Sequence, residues 1–175
     1  MNTTSIFVTN LGKYNEGALV GEWLALPADE DDIKACLDRI GINENYEEYF
    51  ITDYDDYTDF DLYERFGEYS SIERISDFVA EIEDLDADDY KIVAALVGEG
   101  YELEEAIEKL TDGSIYTYGG DSMAEVAENM LDDYGELAQI PEHLRDYFDF
   151  DAYGTMLETT GHWVAYDGGY IEILD

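Results

Sequence analysis

Apart from its carboxylates, this chain holds few residues able to do chemistry. Two histidines, His143 and His162, and the single Cys36 could serve as bases, ligands or nucleophiles, but neither histidine has a partner at ligand spacing. Cys36 shares the stripe of Ile33, Leu37 and Ile40, where a thiol acts as a small hydrophobe. Spaced carboxylates could hold calcium. A loop begun at Asp53 puts Asp55, Asp61 and Glu64 at ligand positions, yet Thr58 stands where glycine is required and Tyr57 replaces an oxygen ligand. A loop begun at Asp149 places Asp151 and Gly154 correctly and then offers Thr160 instead of the bidentate glutamate. Both are chance matches in an acid-rich chain. No Gly-x-Ser-x-Gly elbow and no Walker loop occurs, and a glycosidase-like carboxylate pair is uninformative among 45 acids. The expectation is no catalytic residue, no metal site and no cofactor.

What remains is the charge itself. Against 45 Asp and Glu stand 8 Lys and Arg, a net charge of −37 over 175 residues. Phosphate contacts need cations, so a nucleic-acid binder is excluded, and an anionic membrane would repel the chain. A disordered acidic tail is excluded too, because 46% of the residues are hydrophobic and 14% aromatic. The longest apolar run, residues 92–97, is far below the roughly 20 residues of a membrane span. The polar opening Met1-Asn2-Thr3-Thr4 and the lone cysteine lead us to expect a cytoplasmic protein.

Turn signals divide the chain into an α+β module over residues 1–60, a helical module over 61–113 and an α+β module over 114–175. Their net charges are about −11, −13 and −13, so the charge belongs to the whole surface rather than to a tail or a cluster. Duplex DNA carries one charge per ~1.7 Å of axis, so this charge corresponds to roughly 63 Å, or about 18 to 19 base pairs. A compact globule of this length is only about 40 Å across, so three modules in a row would match the charge density of DNA where one ball would exceed it.

Strands are expected over residues 5–11, 18–26 and 46–54, with a helix over 29–40 ended by Gly41. In the middle module Ser70 and Glu73 read as a capping box ahead of the apolar face from Ile72 to Leu85, and Asp86 or Asp88 caps the next helix, residues 90–97. Leu103, Ala106, Ile107 and Leu110 mark a third. In the last module a strand over 114–118 precedes a helix capped by Ser122 and Glu125 and stopped by Gly135. Pro141 opens a helix running to Phe148, and residues 162–174 form a hairpin around Asp167-Gly168-Gly169.

Several acids sit against the local rules. A helix C-terminus is the negative end of its dipole, so Asp132 and Asp133 before Gly135, and Glu81, Glu83 and Asp84 at the end of the first middle-module helix, are misplaced for stability. Broken local rules point to function, here the surface field. Between Asn45 and Tyr69, acids including Asp53, Asp55, Asp56, Asp59 and Asp61 interleave with Tyr and Phe. Phe50, Phe60 and Phe66 are expected in the core, with some tyrosines sharing a partner surface with the acids.

The opening Ile6-Phe7-Val8-Thr9-Asn10-Leu11-Gly12-Lys13-Tyr14-Asn15-Glu16-Gly17, continued by Leu19-Val20-Gly21-Glu22-Trp23, resembles the start of the ArdA antirestriction proteins of plasmids and conjugative transposons. Glu48-Tyr49-Phe50-Ile51-Thr52-Asp53-Tyr54 is similar as well. Met130-Leu131-Asp132-Asp133-Tyr134-Gly135-Glu136-Leu137-Ala138, followed by Ile140-Pro141, resembles the segment that family calls its antirestriction motif, and residues 147–157 continue the likeness. The resemblance implies an elongated three-module protein that pairs through its C-terminal module into a homodimer imitating bent B-form DNA. It also implies occupation of the DNA site of type I restriction-modification enzymes. Carboxylates expected to stand in for phosphates are Asp53, Asp55, Asp56, Asp59, Asp61, Glu81, Glu83, Asp84, Asp132, Asp133, Glu136, Asp146, Asp149 and Asp151. Met130, Leu131, Tyr134, Gly135, Leu137 and Ala138 are expected to support packing or the dimer contact. Two other readings fit the charge: an acidic inhibitor of another basic DNA-binding protein, and a housekeeping protein adapted to high salt.

Overall fold

A computed structural model describes residues 3–174 of the chain. Helices and two small three-stranded sheets make it α+β, as expected. The chain divides into two compact units, Met1–Asp86 and Ala87–Asp175. The module boundaries expected at 60/61 and 113/114 each fall inside one of these units, because the helices between them are shared out, two to the first sheet's unit and two to the second's.

In the first unit, β1 (Ser5–Asn10) is the central strand, flanked by β2 (Gly21–Ala25) and β3 (Tyr49–Asp55), both antiparallel to it. The expected strand ends one residue early. Asn10 turns its side chain to accept from the Lys13 backbone N–H at 2.9 Å and starts a short helix, α1 (Leu11–Asn15). The inner face of β1 carries Ile6 and Val8, fully buried under α2 (Glu30–Ile40), which contributes Ile33, Cys36 and Ile40. Asp29 caps α2 by accepting from Asp32 N–H at 2.8 Å, and Gly41 ends it with φ +81°.

Beyond β3 lie a short helix, α3 (Leu62–Phe66), and then α4 (Ile72–Glu83), which buries Ile72, Ile75, Phe78, Val79 and Ile82. Its cap is Ser71, whose hydroxyl accepts from Arg74 N–H. The expected cap, Ser70, instead donates to the Phe66 carbonyl at 2.6 Å and so closes the preceding helix. Buried Ser76 is satisfied on both sides by Ala28, accepting from its N–H and donating to its carbonyl, each at 2.7 Å.

The second unit begins with α5 (Ala87–Gly98) and α6 (Leu103–Asp112), which pack together, α5 also reaching the sheet. That sheet runs β4 (Ile115–Tyr118), β6 (Gly169–Ile173), β5 (His162–Tyr166), all antiparallel, the expected hairpin being β5 and β6. Val164, Ile171 and Ile173 form its buried face. Helix α7 (Met123–Asp133) buries Met123, Val126, Ala127 and Leu131. Its capping box is built as expected on Ser122, except that Glu125 reaches back to the N–H of Asp121 at 3.0 Å.

The helix expected from Pro141 to Phe148 is a single turn, α8 (Glu142–Arg145). The stable element is the next one, α9 (Phe150–Thr160), capped by Asp149 and packed along α7. Gly154, which made a calcium loop conceivable, is instead the crossing point of two helices. A Cβ there would lie 2.6 Å from the Met123 backbone carbonyl, so only glycine permits the approach.

Candidate functional site

The acidic surface occupies both units. None of the described Asp or Glu residues is buried, and all except Glu22, Asp56, Asp89 and Glu172 are exposed. Even if each of the 8 bases neutralised a carboxylate, the full net charge of −37 would remain uncompensated. Such a surface repels itself, which costs stability and serves solubility or the attraction of a basic partner.

Ion pairs do occur where bases are present. Arg39 on α2 makes a forked contact with Glu22 on β2, which holds the Glu22 carboxyl below its usual range and Arg39 above its own. Lys91 on α5 lies 3.1 Å from Asp167 in the β5–β6 turn, and that carboxylate raises the Lys91 pKa.

The expected phosphate-mimicking acids have unequal roles. Asp53 and Asp55 project from the exposed end of β3, with Asp59 beyond it. Asp56 instead accepts from Thr58 N–H at 2.8 Å and from Leu62 N–H at 2.9 Å, pinning the loop that enters α3. Asp61 caps α3 from a left-handed backbone conformation, φ +46°, and accepts from Glu64 N–H. Glu81 and Glu83 are exposed on the last turn of α4, and Asp84 caps its end. These eight of the fourteen lie in the first unit. In the second, Asp132 and Asp133 are exposed on the last turn of α7, where no base accompanies them. Glu136 follows, Asp146 closes α8, Asp149 caps α9 by accepting from Ala152 N–H at 2.9 Å, and Asp151 sits in its first turn. Asp56, Asp61 and Asp149 therefore hold the backbone around α3 and α9, Asp53 accepts from Tyr54 N–H at 2.9 Å, and all of these acids except Asp56 are exposed.

The motif-like segment is a helix ending. Gly135 takes φ +70°, its N–H bonds to the Asp132 carbonyl at 2.9 Å, and the Glu136 N–H reaches back to Leu131 at 2.8 Å. This double closure needs a left-handed residue, which explains the glycine. Leu131 is buried, Met130 and Leu137 are half-buried, and Tyr134 and Ala138 are exposed. Arg145, a residue with no visible role in the sequence, folds back to donate to the carbonyls of Ile140 at 3.0 Å and Ala138 at 3.4 Å, so it fixes the loop after the motif. The Tyr134 hydroxyl lies 3.4 Å from that of Tyr118, whose pKa is raised by burial and by Tyr134 and Glu172. Farther along the chain, Leu144, Tyr147 and Met156 are exposed, Tyr147 at 83%.

The chemistry-bearing residues stay apart. Among the described residues, no group of three or more His, Cys, Asp and Glu converges as metal ligands. Asp53 and Asp55 lie in β3 and Glu64 in α3, and residues 150–160 form a helix, so neither calcium-like window is one continuous ligand loop. Cys36 is buried, and its thiol pKa is pushed up to about 11 by burial and by Glu22, the reverse of an activated nucleophile. His143 lies on α8 and His162 opens β5, both exposed. Among the described residues no helix is long and apolar enough to cross a membrane.

Comparison with curated proteins gives no significant match. A family model described as Antirestriction protein (ArdA) matches residues 6–172, nearly the whole of the chain and both of its compact units. The chain belongs to the ArdA antirestriction family.

Proposed function

We propose that this protein inhibits type I restriction-modification enzymes by occupying their DNA-binding groove as a DNA mimic. The observation that carries the reading is that no described Asp or Glu is buried and all but four are exposed in a chain of net charge −37, on both units of a protein from an antirestriction family. Exposed carboxylates offer the basic groove the charge that phosphates would offer. The inhibition is competitive and non-catalytic, and the protein acts in the cytoplasm where these enzymes meet incoming DNA.

Side-chain charges contain no base edges, so the inhibitor ignores the recognition sequence of its target. Asp53, Asp55, Asp59, Glu81, Glu83, Asp84, Asp132, Asp133, Glu136, Asp146 and Asp151 are the acids we assign to the target's cations, because all of them are exposed. Two copies pair through the second unit, where Leu144, Tyr147 and Met156 are exposed and Met130 and Leu137 of the motif are half-buried. A dimer doubles the charge, to the equivalent of roughly 37 base pairs at DNA spacing.

The test is a titration of the purified protein into a type I methyltransferase bound to labelled DNA, run with two enzymes of unrelated recognition sequence. Displacement from both, near stoichiometric and without consumption of the inhibitor, is expected. Displacement from one enzyme only would contradict sequence-blind mimicry.

A further inference from the structure

The first unit carries an aromatic surface that its charge does not explain. Ile6 and Val8 face the core, so Phe7 points to the opposite face of the sheet, where its ring meets Trp23 edge-on at 5.3 Å between centroids. Gly21 makes that possible, since a Cβ there would lie 2.7 Å from the Phe7 ring. The face continues through Phe50, whose ring takes the edge of Tyr14 at 5.2 Å and lies nearly parallel to Tyr69 at 6.2 Å. Together these side chains line an open groove of about 730 Å³. Trp23 is 48% exposed and Tyr69 73%, a poor use of large rings if packing were their only role. Asp53 and Glu68 also line the groove, so its aromatic walls are edged with negative charge.

We propose that this groove receives arginine side chains of the basic protein surface that the inhibitor covers. An aromatic face attracts a cation through its quadrupole, and a planar guanidinium stacks on a ring while donating to a carboxylate at the edge. The chain uses the same chemistry on itself. Lys13 lies 5.7 Å from the centre of the Tyr46 ring, Arg65 5.1 Å from Phe78, Arg74 5.6 Å from Phe66 and Lys109 5.0 Å from Tyr101. These rings lie outside the groove, whose Tyr14, Trp23 and Tyr69 rings stay exposed to an incoming cation. DNA offers no such pocket to a protein; the groove would let the inhibitor hold arginines more firmly than carboxylates alone do.

The inference rests on the partner being a basic protein, but its test needs no restriction enzyme and so fails separately from that reading. The full chain carrying Trp163→Phe, a change in the other unit, leaves Trp23 as the only tryptophan reporter. A short peptide with two arginines is titrated in at near-physiological salt, alongside the same peptide with uncharged citrulline in both places. A saturable change in Trp23 fluorescence with the arginine peptide alone is expected. Tyr69→Leu, at an exposed site and with unchanged charge, should weaken binding by about two- to fivefold, the usual size of an exposed cation–π contact. Asp53→Asn should weaken it further. Equal responses to arginine and citrulline, no saturable response, or undiminished affinity in a folded Tyr69→Leu protein would overturn the assignment.

Discussion

Helices α2 and α7 are both eleven residues long, both begin at a side-chain cap and both end at a glycine in the left-handed region. Their ends differ in charge. Helix α2 puts Glu30, Asp31 and Asp32 in its first turn and Arg39 in its last, and its final carbonyls receive side-chain donors from elsewhere. Asn10 Nδ2 donates to Ile40 and Gly41, each at 3.2 Å, and Lys13 Nζ donates to Ile40 at 3.3 Å. Helix α7 closes its last turn with backbone bonds and then adds Asp132 and Asp133 to the negative end of its dipole. The same chain therefore obeys the dipole rule at one helix and breaks it at another. Stability is served at α2; at α7 a solvent-facing negative field is kept at its expense.

The largest effect should come from breaking the supported end. Asn10 is fully buried and serves both the start of α1 and the end of α2. Asn10→Ala should destabilise the protein by about 2 to 4 kcal/mol, since several buried groups lose partners at once. Urea denaturation measures it, and a loss below about 1 kcal/mol would mean that water replaces the side chain.

A smaller change on α2 is driven by pH. Cys36 is raised from 9.0 to about 11 in the folded protein, so the folded state favours the thiol. Its contribution is fully present below pH 9 and is lost as the pH rises toward 11. Cys36→Ala should flatten that alkaline fall in thermal stability. The same burial predicts slow thiol labelling at pH 8 in the folded state and rapid labelling in denaturant.

The smallest effect on stability is the most informative. Replacing Asp132 and Asp133 by Lys should stabilise α7 by about 0.3 to 1 kcal/mol per charge at low salt, and yet weaken displacement of DNA from the target enzyme. Arg39→Glu should do the reverse, lowering the melting temperature and leaving displacement undiminished. If the lysine pair strengthened inhibition, the end of α7 would be no part of the field.

The comparison also shows what the sequence made legible. Helices α2, α4 and α7 and the β5–β6 hairpin follow from apolar period and turn residues, because those signals are local. Helix α9 was hidden because Gly154 reads as a breaker until α7 is seen to cross there. The capping choice between Ser70 and Ser71 depended on which hydroxyl the Phe66 carbonyl would claim, a contact between neighbouring elements. For the candidate site, the exposure of the acids followed from their number, since a small core has no room for them. Which of them also hold the backbone did not: Asp56, Asp61 and Asp149 look like their neighbours in the sequence and differ only in the N–H groups they meet. The aromatic groove was equally hidden, because Phe7, Trp23, Phe50 and Tyr69 come from separate segments that only the folded sheet brings together.

The central claim is that protein and DNA compete for one surface, and mutual exclusion tests it most directly. A type I methyltransferase, the labelled inhibitor and DNA carrying a second label are mixed, and the species are resolved by sedimentation. The account predicts enzyme with inhibitor and enzyme with DNA, in proportion to their concentrations, and no particle carrying both labels. A stable ternary complex in which the enzyme holds inhibitor and DNA together would contradict it and place the inhibitor outside the DNA groove.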